Sequence, residues 1–112
     1  MQKFSFVYKG KKFNLDVKKF SGIKNFTSGL MFISKEKAKA LLFEFRKPVR
    51  FSLTSVFVFF PFVILWIDEK NKVVDFRKIK PFTFHIPSRK PYKKLLEIPF
   101  NENYKKILEV FR

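Results

Sequence analysis

Between Phe51 and Asp68 the chain reads FSLTSVFVFFPFVILWID, with no charge before its last residue and a single proline, Pro61, near the middle. A stretch this rich in Phe, Val and Ile has to be buried, and its β-branched and aromatic content around a central proline predicts two consecutive buried strands rather than a helix. Upstream, Phe4, Phe6 and Tyr8 alternate with polar or small residues, Lys9-Gly10-Lys11 supplies a turn, and Phe13, Leu15 and Val17 resume the alternation. That pattern predicts a β-hairpin with one apolar face. Ser21-Gly22 interrupts it, and the weak helical spacing of Ile23 to Met31 reads as a short helix or a loop. Ser34 is placed to cap a brief helical turn over Lys35 to Ala38. Ala40 to Phe45 reads as a strand, because Pro48 stops a helix from running on.

The polar run Asp68-Glu69-Lys70-Asn71 separates Trp66-Ile67 from Val73 to Ile79 and predicts a second hairpin. Pro81, Pro87 and Pro91 leave Phe82 to Ile86 an edge strand at best, and Lys94 to Ile98 reads as a strand stopped by Pro99. The tail has two readings, a closing strand over Ile107 to Phe111 or a helical turn within Asn103 to Val110. No repeat, low-complexity segment or linker divides the chain, so residues 1–112 are expected to form one domain. Seven or more short strands imply a mainly β fold, an antiparallel β-sandwich or barrel-like domain with one or two short helical turns.

A chain of 112 residues buries roughly 65% of its unfolded surface and needs no staples. The absence of Cys excludes disulfides, thiolate metal sites and Cys nucleophiles, and it fits a reducing compartment, so a cytoplasmic location is expected. The N-terminal MQKFSFVYKGKKF has no continuous apolar core of a signal peptide. A membrane span is not expected either: it needs about 20 apolar residues, and Ser52, Thr54 and Ser55 dilute the first third of the apolar stretch.

Charge changes the picture more. Twenty-five Lys and Arg against nine Asp and Glu give +16 at pH 7, enough to attract nucleic acid, anionic membrane or an acidic protein. The bases are scattered, which equally suits a Lys-rich or thermophilic surface. The best exposed candidates are Lys9, Lys11 and Lys12 at the first turn and Arg89, Lys90, Lys93 and Lys94 around Tyr92. On one face they would form a polyanion site with Tyr92 available for stacking; on separate faces they are two solvated loops.

Candidate catalysts are sparse. His85 stands between Phe84 and Ile86 with no ligand or base partner at useful spacing, and reads as structural or surface. Asp68 is expected to make an Asx-type turn contact and Asp75 to be a solvated strand residue. Nothing singles out Asp16, Asp68, Asp75 or Glu97 as a glycosidase-like pair, and no nucleotide, hydrolase or zinc-protease motif is present. No catalytic residue, metal or cofactor is expected.

The ordered set Gly29-Leu30-Met31-Phe32, Phe43-Glu44-Phe45, Pro61 to Asp68, Val73-Val74-Asp75, Lys80-Pro81 and Leu96-Glu97-Ile98-Pro99 resembles the uncharacterised family catalogued as domain of unknown function 192, in its archaeal-like branch. The resemblance covers most of the chain from Phe13 onward and implies a mainly β, jelly-roll-like sandwich. Polar positions of the family's central run fall here on Val56, Phe57, Val58 and Val63, and Ile33 stands where an Arg is common. A polar site at those positions would be lost or altered in this chain. The resulting expectation is a non-catalytic ligand- or partner-binding module. Polyanion binding through the basic loops is the alternative, and an enzyme using pocket carboxylates is a third reading.

Overall fold

The computed structural model describes residues 2–21, 34–53 and 58–111. Its core is one six-stranded sheet, formed by β1 (Gln2–Tyr8), β2 (Lys11–Ser21), β3 (Leu41–Val49), β4 (Phe62–Ile67), β5 (Val73–Ile79) and β6 (Tyr92–Pro99) in the order β1-β2-β3-β6-β4-β5. The sheet curls into a half-barrel. The bend brings its two edges together at Val7, whose N–H donates to the Asn71 carbonyl at 2.8 Å.

The first hairpin forms as the alternation predicts. Tyr8 pairs with Lys11, leaving Lys9 and Gly10 as a two-residue turn with φ of 51° and 76°. Positive φ at both central positions matches the right-handed twist of the flanking strands, and glycine accepts it without steric cost. The second hairpin also forms, with Asp68 Oδ1 accepting from the N–H groups of Lys70 and Lys72 at 2.9 Å each. This is the Asx-type contact expected of Asp68.

Strand alternation sorts the apolar side chains into two cores, one on each face of the sheet. Phe4, Phe6, Leu15, Val17, Leu42, Val63, Leu65 and Leu96 fill the inner face against Tyr104, Leu108 and Phe111 of the tail. Leu41, Phe43, Phe62, Ile64, Trp66 and Leu95 fill the outer face beneath Leu53, Val58, Phe60 and Ile86. All six residues of β4 are buried because each face of this strand meets a core, which is why its sequence is continuously apolar rather than alternating.

Several expectations need correction. The β-rich, barrel-like class holds, but β2 and β3 run parallel, and there are six named strands among the described residues. In the first half of the central apolar stretch, the described residues make only an isolated bridge between Leu53 and Ile86, which is also all that remains of the Phe82–Ile86 strand. The tail is helical, with 3-10 turns at Glu102–Tyr104 and Glu109–Phe111 flanking α1 (Lys105–Leu108). Tyr104, Leu108 and Phe111 recur at helical spacing and face the inner core together, which the strand reading does not allow. Ser34 precedes a 3-10 turn at Lys35–Lys37 but makes no side-chain cap bond. The expected helix or loop at 23–31 lies outside the described residues. Among the described residues no helix is long and apolar enough to cross a membrane.

Candidate functional site

The β1–β2 hairpin carries the first basic cluster. Lys9, Lys11 and Lys12 are all exposed. Lys9 Nζ sits 5.4 Å from the Tyr8 ring centre and Lys11 Nζ 5.7 Å from that of Phe13, so their stems lie along aromatic surface while the charges stay in water. Alternation places Lys12 on the outward face with Lys3 and Lys18, opposite the side that buries Phe4, Phe6, Leu15 and Val17. Where that face meets the tail, Lys3, Lys39 and Lys106 line a groove of about 530 Å³ with Asn14, Asn103 and a lone carboxylate, Asp16. A neighbouring groove of about 500 Å³ mixes Lys35 and Lys105 with Glu36, Glu102 and Glu109, so its field is close to balanced.

The second cluster departs from the expectation at three positions. Tyr92 is only 1% exposed; its hydroxyl donates to the Phe51 carbonyl at 2.9 Å, and burial pushes its pKa well up. No ring face is left for stacking. Arg89 is exposed, but its guanidinium grips Asp75 through Nε to Oδ2 at 3.0 Å and Nη2 to Oδ1 at 2.9 Å. Asp75 is therefore a paired carboxylate rather than a solvated strand residue, and the Arg89 hydrogen bond holds its pKa below the ordinary value. Lys94 is drawn inward, bonded to Asn71 Oδ1, 3.7 Å from Glu44 Oε2 and 5.8 Å from the Phe4 ring centre. Lys90 remains exposed and Lys93 half-buried. The two clusters also belong to different cores: Tyr8 and Phe13 pack on Phe111 in the inner one, whereas Tyr92 lies in the outer one.

Asp68 behaves as the sequence reading expects, but Glu97 does not. His85 is exposed, and the described residues contain no group of three or more His, Cys, Asp or Glu able to hold a metal. Glu97, which sequence reasoning left undistinguished, is 8% exposed, and burial alone raises its pKa to about 8. Its register opposite Leu41 and Ile64 turns it toward the outer core. The signal was present, since Glu97 shares strand phase with Leu95. In the same core Trp66 Nε1–H is buried without a hydrogen-bond partner among the described residues. Of the family-polar positions, Val58 is buried in the outer core and Val63 in the inner one, so they share no pocket; Ile33, Val56 and Phe57 lie outside the described residues.

These features define a small basic β-fold, a curled half-barrel closed by a helical tail. The chain belongs to the DUF192 family, described as an uncharacterised ACR, whose model matches residues 5–109. Among solved structures it is similar to a "putative transcription regulator" from Sinorhizobium meliloti 1021, with TM-score 0.75 and 18% identity over 94% of this chain and 83% of that one. It is also similar to a protein of unknown function from Novosphingobium aromaticivorans DSM 12444, with TM-score 0.73 and 14% identity over 94% of this chain and 76% of that one. At these identities the likeness is one of fold. No curated protein matches the chain.

Proposed function

We propose that the chain is a binding module that holds nucleic acid or a similar polyanion on its basic surface, with the outward face of the β1–β2 hairpin as the contact. The observation that carries this reading is the imbalance at the hairpin, where Lys3, Lys12 and Lys18 share the outward phase and Lys3 meets Lys39 and Lys106 in a groove whose one acid is Asp16. Three acids elsewhere are engaged, Asp75 on Arg89, Asp68 in its turn, and Glu44 between Lys19 and Lys94, whereas Glu36, Glu69, Glu102 and Glu109 stay exposed away from the hairpin. Glu97, with its pKa near 8, is mostly protonated at pH 7, which lifts the effective charge further above the formal +16. Positive potential of this size concentrates polyanions and speeds their association. The description of the Sinorhizobium meliloti neighbour, which points to transcription regulation, agrees with this reading. The run from Pro61 to Asp68, with Trp66 inside it, supports the archaeal-like branch of the family.

Fluorescence anisotropy with labelled single-stranded RNA, duplex DNA and heparin across a salt series tests the proposal. Nucleic-acid binding that survives physiological salt against heparin competition is the expected result. Equal binding of all three that vanishes with salt reduces the charge to a generic surface.

A further inference from the structure

Among the described residues the exposed aromatic side chains are not scattered. Phe51, Phe59, Phe82 and Phe84 are 37%, 57%, 49% and 80% exposed, and all four lie on the two segments that cover the outer core. Those segments are also free of acid: the sequence has no Asp or Glu between Glu44 and Asp68, or between Asp75 and Glu97. Between β3 and β4 the first segment carries Arg50, and between β5 and β6 the second carries Lys80, Arg89 and Lys90.

The described residues of the two segments are tied together. Leu53 and Ile86 exchange two backbone hydrogen bonds of 2.9 Å, and Arg50 Nη2 donates to the Ser88 carbonyl at 3.1 Å. Thr83 Oγ1 donates to the Lys80 carbonyl at 2.8 Å, closing the turn that holds Phe82. Phe82 has a φ of 61°, a left-handed conformation that is unfavourable for a bulky residue. The turn spends this strain on a ring that remains half exposed, packed edge-on against Phe59 with centroids 5.5 Å apart. Phe84, two residues on, is nearly bare.

We propose that Phe59, Phe82 and Phe84 form a stacking platform for the bases of single-stranded nucleic acid, with Arg50, Lys80 and Lys90 on the same two segments taking the phosphates. The inference rests on the polyanion reading and narrows it to one substrate class. Charge draws any polyanion, but among soluble polyanions phenyl rings without polar handles add affinity for one that brings apolar flat faces. Heparin has none, and duplex DNA hides its faces in the base stack. A single strand exposes them, and stacking on aromatic side chains tolerates any sequence.

The test is anisotropy of a labelled oligo(dT), a duplex of equal length and heparin at about 0.15 M salt, with wild type, Phe82→Ala/Phe84→Ala and Phe84→Ala alone. The single variant removes the barest ring and keeps the test valid if the double variant fails to fold. We expect each ring to be worth about 5- to 150-fold in affinity for oligo(dT), with duplex and heparin binding unchanged. Oligo(dT) binding that ignores both variants overturns the platform and leaves the polyanion reading standing. Cosedimentation with phosphatidylserine vesicles that depends on the rings, with oligo(dT) binding insensitive to them, assigns the patch to membrane and likewise overturns it. No binding of any polyanion by wild type overturns both.

Discussion

The Tyr104 hydroxyl accepts a hydrogen bond from the backbone N–H of Ala40 at 2.8 Å, joining the helical tail to the entrance of β3 across 64 residues of chain. Both residues are buried, so the Ala40 N–H has no water to turn to if the hydroxyl is removed. Asn101 reinforces the joint, its Nδ2 donating to the carbonyls of Lys35 and Ala38 at 3.0 Å each. Tyr104→Phe keeps the ring and orphans the donor, and is expected to cost about 1–3 kcal/mol. Urea denaturation checks this, with a lowered midpoint and an unchanged m-value as the expected signature.

Glu97 gives the fold a pH dependence of unusual sign. Its pKa is 4.5 unfolded and about 8 folded, because burial disfavours the charged form. Between those values the folded state keeps a proton that the unfolded state has released, so stability falls as pH rises through the window, by up to roughly 1.4 kcal/mol per unit. Above pH 8 the loss levels off. Glu97→Gln cannot ionise, so its melting temperature should exceed that of wild type increasingly from pH 5 to 8. Parallel profiles for the two proteins would show that Glu97 is already ionised in the fold.

Residues that decide local structure were the legible ones. Lys9-Gly10 and Asp68 announce their turns because positive φ and Asx contacts depend on the residues themselves. The continuous apolar run of β4 announces burial on both faces. What the sequence hid depends on partners distant in the chain. Tyr92 looks like a free ring beside lysines until its place under Phe51 is known, and Asp75 looks solvated until Arg89 folds back over it. The parallel β2–β3 pair was equally hidden, since parallel and antiparallel ladders use the same side-chain alternation. The exposed Phe82 and Phe84 were masked by the prolines around them, which made that stretch read as a weak strand.

Arg89 and Lys90 are adjacent and both exposed, yet they should contribute unequally to binding. The Asp75 carboxylate already neutralises Arg89 through two hydrogen bonds, whereas Lys90 presents its charge to solvent. Arg89→Gln lowers the local charge by one unit, as Lys90→Gln does, but the cation it removes is already engaged by Asp75 rather than free to meet phosphate. Lys90→Gln is expected to lower the salt slope of polyanion binding more than Arg89→Gln does. Salt-dependent anisotropy on both variants decides it, and equal slopes would mean that the Arg89–Asp75 pair opens when ligand arrives.

The hairpin lysines should act as phosphate contacts whose number can be counted from salt dependence. Lys9, Lys11 and Lys12 are exposed at a turn whose geometry is set by Lys9-Gly10 backbone angles and by Phe13 packing on Phe111. Exchanging Lys11 and Lys12 for Gln leaves both determinants in place, so the melting temperature should hold. Each lost phosphate contact releases about 0.7 fewer counterions on a single strand. If both lysines touch phosphates, the slope of log affinity against log salt becomes shallower by about 1.4. Affinities of wild type and variant should then converge at high salt, where the counterion contribution disappears. An unchanged slope would take the polyanion away from the hairpin turn and confine it to the groove of Lys3, Lys39 and Lys106, whose substitution would then have to produce the missing change.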